Sequence, residues 1–207
     1  MNVGAPRQVP FNGGTVLTSI FKSPVEGRRA VRAHNIEGDR QSDLTVRGPG
    51  KAVYCYPSEH YSYWKAQLPG SDLSVYGTFG ENLTTEGILE TEVVIGDVFR
   101  VGTAILKVTQ PRMPCFKLGI RFNLGTMVKL FWKSGRSGIY FSIVEEGDVA
   151  AGDSIERLAR GPEQITVSDV VRLYRGDETS PELFQRAMRA PLSGSWKQEI
   201  RERRNGE

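Results

Sequence analysis

The stretch "IGDVFRVGTAILKVTQPRMPCFKL", residues 95–118, changes character along its length. Gly96-Asp97 reads as a turn, apolar and polar residues then alternate, and Arg100-Val101-Gly102-Thr103 reads as a tight connection between two strands. Pro111 and Pro114 fix backbone angles and remove N–H donors, so the chain leaves the ladder in a rigid loop that aims Cys115. Comparable β-branched and aromatic runs recur between glycines from about residue 15 to 160: "TVLTSIF", "RRAVRAH", "DLTV", "AVYCY", "GIYFSIV" and "SIERLA". That spacing predicts a mainly β fold, a barrel or sandwich, with helices added.

Two helices interrupt the strands. Ser58 starts "SEHYSYWKAQL" with Tyr61 and Trp64 facing inward, and Asn123 caps "LGTMVKLFWKS", which ends at Gly135. After Arg160-Gly161-Pro162 the texture becomes helical. Thr166 and Asp169 form a capping box for "VSDVVRLYR", Ser180-Pro181 opens "SPELFQRAMRA", and "SWKQEIRERR" carries Trp196 and Ile200. Three short amphipathic helices bury little alone, so the expected organisation is a β-barrel domain over 1–162 and a three-helix bundle over 163–207 leaning on it.

The 207 residues are long enough for one good core. No run approaches the roughly 18 apolar residues of a membrane helix, and the start lacks a secretory signal's apolar core, so the expected compartment is the cytoplasm. Only Cys55 and Cys115 are present, too few for a disulfide scaffold, a four-cysteine zinc site or an iron–sulfur cluster held by four cysteines. His34 and His60 are the only histidines, which argues against metal centres built on imidazole. A surface or capping role is expected for both. Any redox chemistry must borrow its electron carrier.

From Val98 to Val144 there are eight lysines and arginines and no acid, where an even spread of the chain's 24 acids would place about five. The window is either an anion-holding surface or a set of ordinary solvated cations. Cys115 lies inside it. Nearby cations favour the thiolate, the form that attacks or ligates a metal, while a buried structural thiol is the commoner fate of a free cysteine. Both readings stay open on the residues alone. Cys55, in the alternating "AVYCYP", reads as a core residue. "RGPGKA", with Arg47 and Lys51, is a phosphate cradle or a solvated hairpin turn. In "TFGENLTTEG", Gly77 and Gly80 bracket Phe79 and lead into Glu81-Asn82, groups that could grip a flat heterocycle.

In chain order, "EGDRQSDLTV", "KAVYCYPSEHYSYW", "FGENLTTEG", "IGDVFRVGTAILKVTQPRMPCFKL" and "GRSGIYFSIVEEGDV" resemble the hallmarks of a MOSC domain, the module named after the C-terminal part of molybdenum-cofactor sulfurase. The trailing helices resemble the YiiM subgroup. The resemblance implies a MOSC-type β-barrel holding molybdenum cofactor (molybdopterin with Mo), with Cys115 as the metal-ligand and catalytic residue. It also gives the acid-free window a purpose, since the cofactor's phosphate is anionic. Arg112, Lys117, Arg121 and Arg136 become clamp candidates, with Phe79, Gly80, Glu81 and Asn82 lining the pocket and Arg47 and Lys51 in the glycine-rich turn. Subgroup members usually show "HGGxDKA" there; this chain is one residue shorter, with Arg47 in the histidine's place and Lys51 matching.

The activity implied is reduction of small N-hydroxylated compounds, such as 6-N-hydroxylaminopurine, to the amine. Two electrons and two protons are consumed and water leaves. With no iron–sulfur cluster or haem expected in the chain, electrons would come from an external flavoprotein-type donor. The rival is a cofactor or sulfur carrier without turnover. Nucleic-acid binding is disfavoured by the net charge of +3 and the lack of a recognised RNA-binding motif. No membrane partner is expected, and a homodimer is the commonest closed assembly.

Overall fold

A computed structural model of the chain describes residues 1–33, 35–42 and 48–206. His34 and residues 43–47, which include the expected "DLTV" strand and Arg47, lie outside the described residues. Six short strands come first: β1 (Asn2–Val3), β2 (Arg7–Phe11), β3 (Gly14–Thr18), β4 (Ser23–Pro24), β5 (Arg29–Arg32) and β6 (Asn35–Ile36). The main sheet takes β7 (Val53–Pro57), β8 (Leu83–Thr85), β9 (Val98–Val101), β10 (Ala104–Pro111) and β11 (Ile139–Glu145). Strand β12 (Gly147–Val149) turns aside to pair with β5, and β13 (Ile155–Ala159) returns to the main sheet.

The six-stranded order is β13-β9-β10-β11-β7-β8, antiparallel except for β7 with β8. The expected barrel therefore takes the form of a mixed-sheet half-barrel. Alternation sets its faces. Ala104, Leu106 and Val108 of β10 are buried while Ile105, Lys107 and Thr109 are partly exposed, the period of two of a strand with one face on the core. Strand β7 is buried on both faces and serves two cores. Val53 and Cys55 join the cluster of Leu106, Val108 and Ile139, whereas Tyr54 and Tyr56 join Trp64, Phe79 and Phe131.

Helix α1 (Glu59–Gln67) turns Tyr61 and Trp64 into the second core, as expected. Helix α2 (Phe116–Phe122) has no counterpart among the expected elements, and Asn123 caps its C-terminal end rather than starting a helix. Asn123 has φ 48°, a left-handed conformation that asparagine tolerates. Helix α3 (Met127–Ser134) instead begins after Thr126 and ends at Gly135, also left-handed.

The trailing helices are α4 (Val167–Arg175), α5 (Pro181–Arg189) and α6 (Gly194–Asn205). Thr166 and Asp169 form both halves of the capping box, and the Ser180 and Ser193 side chains cap the other two. Val167, Val170, Leu173, Ala187, Trp196 and Ile200 belong to the same apolar cluster as the sheet residues Phe99, Leu106 and Val108. The helices thus complete the sheet's core. Among the described residues no helix is long and apolar enough to cross a membrane.

Candidate functional site

Strand β10 delivers the site. Its pairing with β11 shifts between Val108 and Gln110, so Thr109 is bulged out, and its hydroxyl is tied to the Tyr140 carbonyl at 3.0 Å. A bulge bends its strand and re-aims the side chains past the bend. Beyond this one, Gln110 and Arg112 are 3% and 7% exposed yet face a cavity of about 430 Å³. Cys115, exposed, lines the same cavity from the N-cap position of α2. Cys55 is the opposite case: burial pushes its thiol well above the usual range, so it stays protonated.

Arg112 is held from several sides. Its guanidinium donates to the Phe79 carbonyl and lies 4.7 Å from the centre of the Tyr54 ring. Lys117 lines the cavity and donates to Ser42 Oγ at 3.3 Å, and Lys51 reaches it from the 3₁₀ turn Pro49–Lys51. The "GENL" turn splits by parity: Gly80 and Asn82 line the cavity, Phe79 and Glu81 do not. Phe79 is fully buried, its ring centre 4.5 Å from that of Tyr56. The Glu81 carboxylate accepts from the Gly77 and Phe79 amides at 2.7 and 3.0 Å and from the Thr84 hydroxyl at 3.0 Å. It shapes the turn that presents Gly80, where an added Cβ would meet Ile20 at 3.0 Å.

Arg121 and Arg136 also lie away from the cavity. Arg121 sits near Thr78 and the Phe21 ring, and Arg136 lies 3.7 Å from the centre of the Tyr63 ring. The acid-free window is not one charged surface, because acids distant in sequence meet it: Arg100 pairs with Glu156 at 2.7 Å. His60 is no surface residue, being buried with its Nε2 2.7 Å from Glu90.

Several lining residues carry no signal in the sequence. Lys22 and Asp39 form a buried pair at 2.7 Å, where Asp39 also accepts from the Gly4 amide at 2.8 Å. Burial pulls the Lys22 pKa below its ordinary value while Asp39 opposes the shift. Helix α6 contributes Ser195, Trp196 and Glu199. No local motif marks these positions, since only tertiary packing brings them together.

Among the described residues no group of three or more His, Cys, Asp or Glu side chains could hold a metal ion. A metal at Cys115 would have to arrive with most of its ligands. The cavity fits such a cofactor: it has one accessible thiol, basic side chains from three segments, an amide pair in Asn82 and Gln110, and a volume typical of ligand sites.

This half-barrel, with its thiol loop and appended helices, belongs to the MOSC family: the MOSC domain model matches residues 44–156. Residues 165–207 match the YiiM-like, 3-alpha helix domain, placing the chain in the YiiM subgroup. It is 39% identical to the uncharacterized protein YflK of Bacillus subtilis, over 95% of this chain and 89% of that one. A Gibberella moniliformis protein named reductase is 32% identical over 87% of this chain but only 33% of its own length. The crystal structure of YiiM from Geobacillus stearothermophilus superposes with a TM-score of 0.79 at 30% identity, covering 98% of this chain and 96% of that one.

Proposed function

We propose that the protein is a molybdenum-cofactor-dependent reductase that converts N-hydroxylated compounds, such as 6-N-hydroxylaminopurine, to the amine. The observation that carries this reading is the exposed Cys115 on a cavity with basic walls, without companion metal ligands among the described residues. A pterin dithiolene would bring the missing sulfur donors, and MOSC membership and a relative named reductase favour redox use. When bound, the cofactor supplies the two-electron chemistry.

The chain's residues bind and orient. Cys115 is the thiolate ligand, and Arg112, Lys51 and Lys117 supply positive charge toward the cofactor's phosphate. Arg112, fixed by Phe79 and Tyr54, is already oriented before anything binds. The overall reaction takes R–NHOH, two electrons and two protons to R–NH₂ and water. Electrons come from a separate flavoprotein-type donor, since the chain has two cysteines and no flavin fingerprint.

The test is molybdenum per chain in protein from a cofactor-competent host, with turnover of 6-hydroxylaminopurine by a chemical electron donor. We expect about one molybdenum and turnover, loss of turnover in Cys115→Ser, and retention in Cys55→Ser. Full activity in Cys115→Ser would falsify the ligand assignment. Molybdenum without turnover would identify a carrier, and protein free of molybdenum would exclude both roles.

A further inference from the structure

We infer that Glu199, brought to the cavity by the last helix, is the group that recognises the substrate, accepting hydrogen bonds from the N–H donors of an amidine- or aminopurine-type compound. This rests on the proposed reductase activity, and it gives the three-helix domain a part in the site. Helix α6 is anchored by Trp196 and Ile200, 2% and 1% exposed, and capped by Ser193. Its 3.6-residue repeat puts Glu199 one turn beyond Ser195 and Trp196, and all three line the cavity.

Glu199 is half-buried and makes no hydrogen bond or ion pair with any described residue. Arg203, four residues on, gives its hydrogen bond to the Tyr174 hydroxyl at 3.3 Å and lies 4.9 Å from that ring's centre; Tyr174 and, to a smaller degree, the Glu199 charge raise its pKa, but no Arg203 hydrogen bond reaches the Glu199 oxygens. The other carboxylate lining the cavity, Asp39, is occupied by Lys22 and the Gly4 amide. Glu199 is thus an acceptor left for a ligand in a cavity otherwise furnished with lysine and arginine. An amidinium carries two parallel N–H donors that a carboxylate can take together, and an aminopurine offers its exocyclic N–H as a single donor. Amides and hydroxamates, which lack a cationic pair of N–H donors, gain less from the carboxylate.

The probes are benzamidine, an amidinium cation, and benzamide, its neutral analogue. Their binding to wild type and Glu199→Gln is measured by calorimetry, with molybdenum content and the KM and kcat for 6-hydroxylaminopurine determined on the same preparations. Wild type should prefer benzamidine. In Glu199→Gln its affinity should fall about tenfold, as for loss of one charge-assisted hydrogen bond, while benzamide binding stays within about twofold. KM should rise by a similar factor, with kcat changed by less than about threefold. Equal benzamidine affinity in the two proteins, or a wild type that does not prefer it, overturns the assignment. Benzamidine binding that depends on Glu199 in protein free of molybdenum would uphold this recognition while removing the reductase reading. Molybdenum and turnover with an unchanged KM would do the reverse.

Discussion

Asp39 shows how much one buried charge depends on its partner. Its side chain is 2% exposed and that of Lys22 9%, with 2.7 Å between them. Removing one member of such a pair strands the other charge in a poorly solvated place, typically at about 3–5 kcal/mol. Lys22→Met should therefore destabilise the protein by about that amount in urea titrations. The double change Lys22→Met with Asp39→Asn should recover at least half, because an asparagine oxygen can still accept from the Gly4 amide. If the double variant is as unstable as the single one, stranded charge is not the cause. Nothing along the chain links Lys22 to Asp39, whereas the chemistry of Cys115 is visible in its own neighbours. Glu81 misleads for the opposite reason. It is adjacent in sequence to Gly80 and Asn82, but the left-handed turn at Gly80 folds its carboxylate back onto the Gly77 and Phe79 amides, where it is spent on its own turn.

Elements differ in how far their signals are local. The capping box of α4 is legible because both halves lie within four residues, and Thr166→Ala should cost about 1 kcal/mol. The joint just before it depends on a distant contact. At Gly161 an added Cβ would lie 2.1 Å from the Ile95 carbonyl oxygen, and the Gly161 amide donates to Asp97 at 2.8 Å. Asp97, fully buried, also accepts from the Val94 amide at 3.0 Å and pairs with Arg157 at 3.2 Å. Gly161→Ala must push the link off the sheet and should cost about 1–3 kcal/mol or more. Chemical denaturation of both variants checks the order: Thr166→Ala as the more damaging change would contradict it. Helix α2 is hidden because Pro111 and Pro114 read as a rigid loop and Asn123 as a beginning. Proline is tolerated just ahead of a helix, and asparagine suits a left-handed C-cap.

The whole molecule has one apolar cluster running from the sheet into the three trailing helices. Val167 and Val170 of α4 belong to it together with Leu106 and Val108 of β10, and Trp196 joins from α6. A shared core predicts cooperative loss. Trp196→Ala should destabilise by about 3–5 kcal/mol, with sheet and helices unfolding in a single transition. Coincident far-ultraviolet circular dichroism and tyrosine fluorescence curves would bear this out, and two separate steps would show that the helices fold independently of the sheet. The arrangement has a consequence for the site. Trp196 is at once a core anchor and a cavity wall, so docking of the helices and completion of the binding cavity are the same event.

Local periodicity and side-chain chemistry are sufficient for strands β3, β5, β7, β9, β10, β11 and β13, for every described helix except α2, for the caps of α4 and α5, and for the loop that presents Cys115. Each is written in residues a few positions apart, where backbone geometry alone relates them. The membership of the cavity was another matter. Lys22, Asp39 and Glu199 reach it, and Phe79, Glu81, Arg121 and Arg136 do not, because a side chain's neighbours are set by which elements pack together. Charge counted along the chain could not foresee that Glu156 would meet Arg100, nor that Arg203 would turn to Tyr174 and leave Glu199 facing the cavity. Electrostatic partners are chosen by distance in space, and only the folded chain defines that distance.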